Sequence, residues 1–280
     1  MSENIHAEIL SVAPLQSAGR LAAIGRTLDA FPQFVPTLMG RRDPPATLRT
    51  NVEDHLVAWA PTIRPGDYFT QIMARTRREP DAGGMLWITG DIWGYPPFSP
   101  HKLELYVDAD WFMESEMPAR LDDFAGLFRR EIDAMDAFWG AAGLTTYRRQ
   151  TNDFVMAAQL AGTLVLPGMP GTGWDMREHC LPDLYWLNYF GPAYLQRWGS
   201  AVGGLGVRRE VTGNGGLLVW ATATPFTFDA GATRSTDYEW KQPFFDALGW
   251  DSILHEHWRD PGRGIRVPTY EDHRGYSRGG

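Results

Sequence analysis

The chain contains a single cysteine, Cys180, among its 280 residues. One thiol cannot form an intrachain disulfide, so a disulfide framework is excluded and a reducing compartment is expected. No apolar run approaches the roughly 18 residues that a membrane-spanning helix needs. The first residues also lack the basic segment and apolar run of a secretory signal. The sequence therefore predicts a cytoplasmic protein without a membrane span.

Basic charge is also scarce, because 34 acidic residues outnumber 26 lysines and arginines and leave a net charge of −8. An acidic chain is a poor ligand for phosphate backbones, so no nucleic-acid partner is expected. The imbalance is concentrated in one segment. Between Asp108 and Asp136, nine acidic residues stand against three arginines. This segment is either a solvated helix face or a surface that binds a basic protein.

Signatures of catalysis and of metal binding are missing. The best metal candidate is a C-terminal group comprising His255, His257 and His273, but the helical H-E-x-x-H spacing is absent. The Gly199–Gly206 segment lacks the lysine of a phosphate-binding loop and is predicted to be a connecting loop. No family-type signature surrounds Cys180, so a packed core thiol is favoured. We expect no metal, no cofactor and no catalytic residues.

Hydrophobic spacing predicts an α+β fold with mostly antiparallel strands packed against amphipathic helices. Helices are expected over 14–31, after Asn51, over 118–139 and over 242–248. Strands are expected over 85–93, 103–107, 145–151 and 184–190, with a hairpin between 208–211 and 217–224. Residues 1–13 are interpreted as a lead-in. The chain is expected to be one domain, alternatively divided into halves 1–143 and 144–280.

The densest aromatic stretch of the chain is L-Y-W-L-N-Y-F-G-P-A-Y-L-Q-R-W-G at 184–199. Its aromatic residues lie in an apolar run, which favours a buried strand and a short helix over a ligand platform. The stretch follows L-A-G-T-L-V-L-P-G-M-P (160–170) and precedes a hairpin that ends in A-T-A-T-P-F (221–226). This order of motifs resembles the immunity proteins of bacterial type VI secretion and polymorphic-toxin systems, and a related group long known only as uncharacterised.

The resemblance implies a cytoplasmic antitoxin that binds a cognate secreted effector and occludes its active site. It supplies no catalytic residues. The partner would be a toxin protein, such as a nuclease or another enzyme with a basic site. The acidic segment provides the expected binding residues, which are Asp108, Asp110, Glu114, Glu116, Asp122, Asp123 and Asp133.

Two hypotheses from other classes stay open. A small hydrolytic or ligand-binding enzyme would place its site in the 91–101 loop, with Asp91 and His101 as polar groups and Trp93 and Tyr95 as walls. A structural protein that assembles into a homo-oligomer is the third hypothesis. A structure with Asp91 and His101 far apart would exclude the enzyme, whereas gel filtration would reveal the oligomer.

Overall fold

The computed structural model of the chain describes residues 3–35, 37–41, 45–63, 69–76, 82–89, 100–113, 116–148, 180–227, 239–249, 252, 253 and 272. The described residues fall into two compact units, the first ending at Gly140 and the second beginning at Ala141. None of the described helices is long and apolar enough to cross a membrane.

The first unit combines an antiparallel sheet with helices. Its strands are β1 (Asn4–Ser11), β2 (Thr37–Gly40), β3 (Thr47–Arg49), β4 (Phe69–Thr76), β5 (Ala82–Thr89) and β6 (His101–Asp108). Its helices are α1 (Ala18–Asp29), α2 (Val52–Trp59), α3 (Ala109–Phe112) and α4 (Met117–Met135). The strand order in this unit is β3-β2-β4-β5-β6-β1. The next strand along the chain, β7 (Trp139–Leu144), contains the residues at which the first unit ends and the second begins. This mixture confirms the predicted α+β class.

Strand register places one row of apolar side chains beneath the helices. Antiparallel pairing sets Ile5 opposite Val107, Ala7 opposite Leu105, and Ile9 opposite Leu103. Because side chains alternate along a strand, these six residues share one face of the sheet. All six are buried, and Leu103 and Leu105 line a cavity together with residues of α1 and α2.

The helices begin where the sequence offers capping groups. The Asn51 side chain accepts a hydrogen bond from the Asp54 N–H and starts α2, as predicted. The Ser17 side chain caps α1 in the same way by accepting from the Arg20 N–H. A proline in the first turn starts α4, whose buried stripe includes Phe124 and Phe128.

The second unit is built on the aromatic stretch. It contains β8 (Leu187–Phe190), β9 (Arg209–Val211), β10 (Leu217–Trp220), α5 (Pro192–Gly204) and α6 (Gln242–Leu248). The strand order is β8-β10-β9, with antiparallel pairs that confirm the predicted hairpin. Phe190, Tyr194 and Trp198 pack against one another with ring centroids 5.0–6.0 Å apart, and all are buried. The interpretation of this stretch as core is confirmed.

Three predicted boundaries are wrong. Residues 4–11 are not a lead-in but the buried strand β1, whose alternation of Ile5, Ala7 and Ile9 is the period of a half-buried strand. The helix predicted to run to Trp139 ends at Met135, because Asp136 adopts a left-handed backbone with φ of 51°. Trp139 instead begins β7, and residues 145–148 are helical rather than extended.

The glycine-rich segment Gly199–Gly206, predicted to be a connecting loop, is mostly helical. Helix α5 continues through Gly199 to Gly204. Val202 lies one helical turn beyond Trp198 and extends the same buried stripe. Burial of that stripe offsets the low helix propensity of glycine, which is about 1 kcal/mol per residue.

Candidate protein-binding surface

The predicted binding residues lie mainly around the corner where α3 meets α4, in the first unit. Asp108 caps α3, because its side chain accepts a hydrogen bond of 2.9 Å from the Asp110 N–H. Glu116 occupies the N-cap position of α4 and lies 3.9 Å from Arg120, with 71% of its side chain exposed. Glu114 lies outside the described residues.

The remaining predicted residues lie on the outer side of α4. Asp122 and Asp123 are exposed, and Asp133 is half-buried. Eleven residues separate Asp122 from Asp133, so both face the same side of the helix about 16 Å apart. Arg129 is also exposed on this helix, so the outer side carries charges of both signs.

The corner also exposes a large apolar side chain. Met113, in the turn after α3, is 61% exposed, and Asp110 and Glu116 on either side of it are exposed as well. In α3, which precedes Met113, Trp111 packs against Phe112 with ring centroids 4.8 Å apart. Fully buried Phe112 in turn packs against Phe124 of α4. The corner therefore exposes an apolar side chain between acidic residues, and the helix that precedes it is held in the core by Phe112.

Arg120 holds this corner in place. Its guanidinium lies 4.8 Å from the centre of the Trp111 ring and donates a hydrogen bond to the Trp111 carbonyl. A cation over an aromatic ring that also bonds the backbone fixes the turn between two helices. We call the exposed set Asp110, Met113, Glu116, Asp122 and Asp123 the acidic corner.

Two acidic residues of the segment do not belong to the surface. Glu131 is fully buried and faces α1, while Asp136 is buried and lies 3.7 Å from Arg20. The sequence contains a signal for the first of these. Glu131 follows Phe124 by seven residues and Phe128 by three, which places it on the buried stripe of α4.

The second unit contains a cleft and a buried ion pair. The cleft is small, with a volume of about 20 Å³, and its aromatic walls are formed by Tyr147, Tyr185, Trp186 and Trp240. Close to these walls, the Lys241 ammonium pairs with the Asp183 carboxylate, and both side chains are buried. Among the described residues, no acidic or histidine side chain lines the cleft. The described lining residues can therefore stack or pack against a bound group, but they contain no carboxyl or imidazole group for acid–base chemistry.

The other candidate sites fall largely outside the described residues. This applies to Asp91, Trp93, Tyr95, and the histidines at 255, 257 and 273. His101 is the first residue of β6, where it is buried opposite Ser11. Cys180 is a buried free thiol. Within the part of the chain that the structure describes, no group of three or more His, Cys, Asp or Glu side chains has the geometry of a metal site.

Comparison with solved structures shows a likeness in fold. No protein-family model matches the chain, and no curated protein matches it. The Pseudomonas aeruginosa T6SS protein PA0821 superimposes with a TM-score of 0.57 and 14% sequence identity. The two proteins share a fold. The alignment covers 98% of this chain and 80% of PA0821, so the likeness extends over both compact units.

Proposed function

We propose that this chain is an immunity protein of a type VI secretion system, which binds a cognate effector toxin and blocks the toxin's active site. The observation that carries the proposal is the shared fold, over 98% of the chain, with a protein named for that secretion system. The L-Y-W-L-N-Y-F-G-P motif at 184–192 is a second support, since it resembles the corresponding stretch of immunity proteins.

The acidic corner is the surface that we propose for the toxin. Exposed carboxylates attract a basic partner and orient it during encounter, which raises the association rate more than the final affinity. Affinity in protein interfaces comes from a few apolar anchors that become buried on binding. Met113, 61% exposed between acidic neighbours, has the position of such an anchor. The expected partner therefore has a basic cleft with an apolar pocket.

Co-expression tests the function itself. The toxin encoded next to this gene is expressed in a bacterial host with or without this chain, from separate inducible promoters. Growth should be restored only when this chain is present, and the two proteins should co-purify. Equal killing in both cultures would show that the chain is not the immunity protein for that toxin.

Charge reversal tests the surface. Asp123→Lys changes the acidic corner, and Asp246→Lys makes the same change at an exposed position of α6 in the second unit. We expect Asp123→Lys to lower the association rate with the toxin roughly tenfold at low salt, with a smaller effect at high salt. Asp246→Lys should leave the rate unchanged. Equal effects of the two variants would assign binding to another surface while leaving the immunity function intact.

A further inference from the structure

Glu131 is a carboxyl group buried between two helices of the first unit. It lies on α4, is fully buried, and is hydrogen-bonded through Oε1 to the hydroxyl of Thr27 on α1. Its second oxygen, Oε2, has no hydrogen-bond partner among the residues that the structure describes. A buried carboxylate in such a position is costly, whereas a neutral carboxylic acid is tolerated.

Proton counting at Thr27 indicates the same state. The Thr27 hydroxyl also lies 2.9 Å from the Ile24 carbonyl oxygen, which can only accept a hydrogen bond. A hydroxyl has one proton to donate. If that proton goes to Ile24, the contact with Glu131 is satisfied only when Glu131 is protonated and donates to the Thr27 oxygen. Both hydrogen bonds therefore form together only with a neutral Glu131.

Burial shifts the titration of Glu131 into the neutral range. It raises the pKa of the carboxyl from 4.5 to about 8, against smaller lowering effects of the Thr27 hydrogen bond and the Arg130 charge. Arg130 acts on Glu131 through its charge, and no hydrogen bond from the described residues, Arg130 included, reaches Glu131 Oε2.

Other charged groups of the neighbouring helices are bound elsewhere. On α1, Arg20 lies 3.7 Å from Asp136, and its Nη1 is 3.5 Å from the Ala134 carbonyl. Arg26 pairs with Glu53 of α2 at 2.8 Å. Asp29 at the end of α1 accepts hydrogen bonds from the first N–H groups of α2.

On the face of β1 that meets the helices, the described structure places no charged side chain. The helix-facing residues of β1 are apolar, apart from Ser11, whose hydroxyl donates to the Met135 carbonyl at 2.6 Å. Strand alternation places His6 and Glu8 on the opposite face of that sheet. On α3, Asp110 is exposed. Glu131 is thus the group in this helix layer expected to titrate near pH 8.

We infer that the Glu131–Thr27 contact is a pH-dependent connection between α1 and α4, closed while Glu131 holds its proton and opened when that proton is released to solvent. Ionisation leaves a buried carboxylate, and the Thr27 hydroxyl can donate a hydrogen bond to that carboxylate only by losing its hydrogen bond to the Ile24 carbonyl. The carboxylate gains more from reaching water than from staying between the helices. Alkaline pH therefore loosens α4, the helix that carries Asp122 and Asp123.

Amide hydrogen exchange on the full chain tests this inference. Protection factors, which correct for intrinsic exchange, are measured for α4 and for the β5–β6 pair at about pH 6.5 and pH 9. A closed-state pKa of about 8 against 4.5 in the open state predicts that α4 loses protection about 30-fold over this interval. At both pH values the β5–β6 pair should stay more protected than α4, because α4 opens without unfolding of the sheet.

Two variants separate this carboxyl from other causes. Glu131→Gln keeps the shape and a donor for Thr27 but cannot ionise, so its α4 protection should not change with pH. Glu116→Gln removes an exposed carboxyl of the same helix and should behave like the parent chain. The inference is overturned if Glu131→Gln retains the parent's pH dependence, or if α4 is as strongly protected as the β5–β6 pair at pH 9, which would leave global unfolding as the only opening. Carboxyl ¹³C NMR of the parent protein tests the same point without a variant. A Glu131 carboxyl resonance that titrates near pH 4.5 would also refute the inference.

Discussion

Removing the Lys241 ammonium should be among the more destabilising single changes in the second unit. Lys241 and Asp183 are 0% and 3% exposed, so neither charge has access to water. The ammonium also lies 4.7 Å from the centre of the Tyr147 ring and 5.4 Å from that of Trp240. In Lys241→Met the apolar stem is preserved, while the positive charge that balances Asp183 is lost.

The structure allows the size of the effect to be estimated. After Lys241→Met, the Asp183 carboxylate keeps a 2.7 Å hydrogen bond from the Leu184 N–H and a longer one, 3.4 Å, from the Tyr147 hydroxyl. Breaking a buried ion pair from one side typically costs about 3–5 kcal/mol. These remaining hydrogen bonds place this case near the lower end, at about 3 kcal/mol. Removing both charges in Asp183→Asn/Lys241→Met should recover most of that loss.

Urea unfolding followed by circular dichroism measures these differences. The matched control is Lys102→Met, which removes the chain's other lysine from a less buried pair with Glu104, where the side chains are 11% and 22% exposed. This control should cost less, about 1–2 kcal/mol, because the pair is partly exposed although the Lys102 ammonium also lies 3.1 Å from the centre of the Trp87 ring. The reasoning is refuted if Lys241→Met costs no more than Lys102→Met, or if the double variant is as unstable as Lys241→Met.

Three further predictions concern stability. Thr37→Val should leave the melting temperature unchanged or raise it by the equivalent of about 1 kcal/mol. The reason is that the Thr37 hydroxyl is fully buried without a hydrogen-bond partner in the described structure. A clear drop in melting temperature would show that the hydroxyl has a hydrogen-bond partner after all. Arg209→Met should lower the free energy of unfolding, measured in urea, by about 1 kcal/mol, because the Arg209 side chain donates hydrogen bonds to the last carbonyls of α5. An unchanged free energy of unfolding would show that water replaces the Arg209 hydrogen bonds. The free energy of unfolding should fall by up to about 5 kcal/mol as pH rises from 4.5 to 8, because the unfolded state releases the Glu131 proton at a lower pH than the folded state does. Glu131→Gln should abolish this pH-dependent loss of stability. An unchanged slope of stability against pH in Glu131→Gln would contradict the raised pKa of Glu131.

Local signals predicted much of the secondary structure. Asn51 before an apolar stripe located α2, the glycine-rich turn before Leu217 located the β9–β10 hairpin, and residues 242–248 form the predicted helix α6. In these places the sequence contains capping or turn residues that act within a few positions. The wrong boundaries have a different origin. Trp139 continues the helical spacing, and only the left-handed Asp136 shows that the chain leaves the helix before it.

The acidic segment shows what spacing leaves unresolved about a surface. Counting carboxylates located an acidic region, but the count by itself does not separate the exposed Asp122 and Asp123 from the buried Asp136. Nor did it identify Met113 as an exposed apolar residue among the acids. Exposure depends on which helix covers which residue, and that is a property of packing between distant parts of the chain.

The sequence by itself determined the α+β class, the aromatic core stretch and the acidic character of the segment from 108 to 136, because composition and periodicity encode them locally. Only the tertiary structure decided that β1 lies in the sheet beside β6, that Lys241 meets Asp183, and that Glu131 meets Thr27. In the last two contacts the partners lie 58 and 104 residues apart. No local spacing predicts such contacts, since they form when distant segments share a single buried volume.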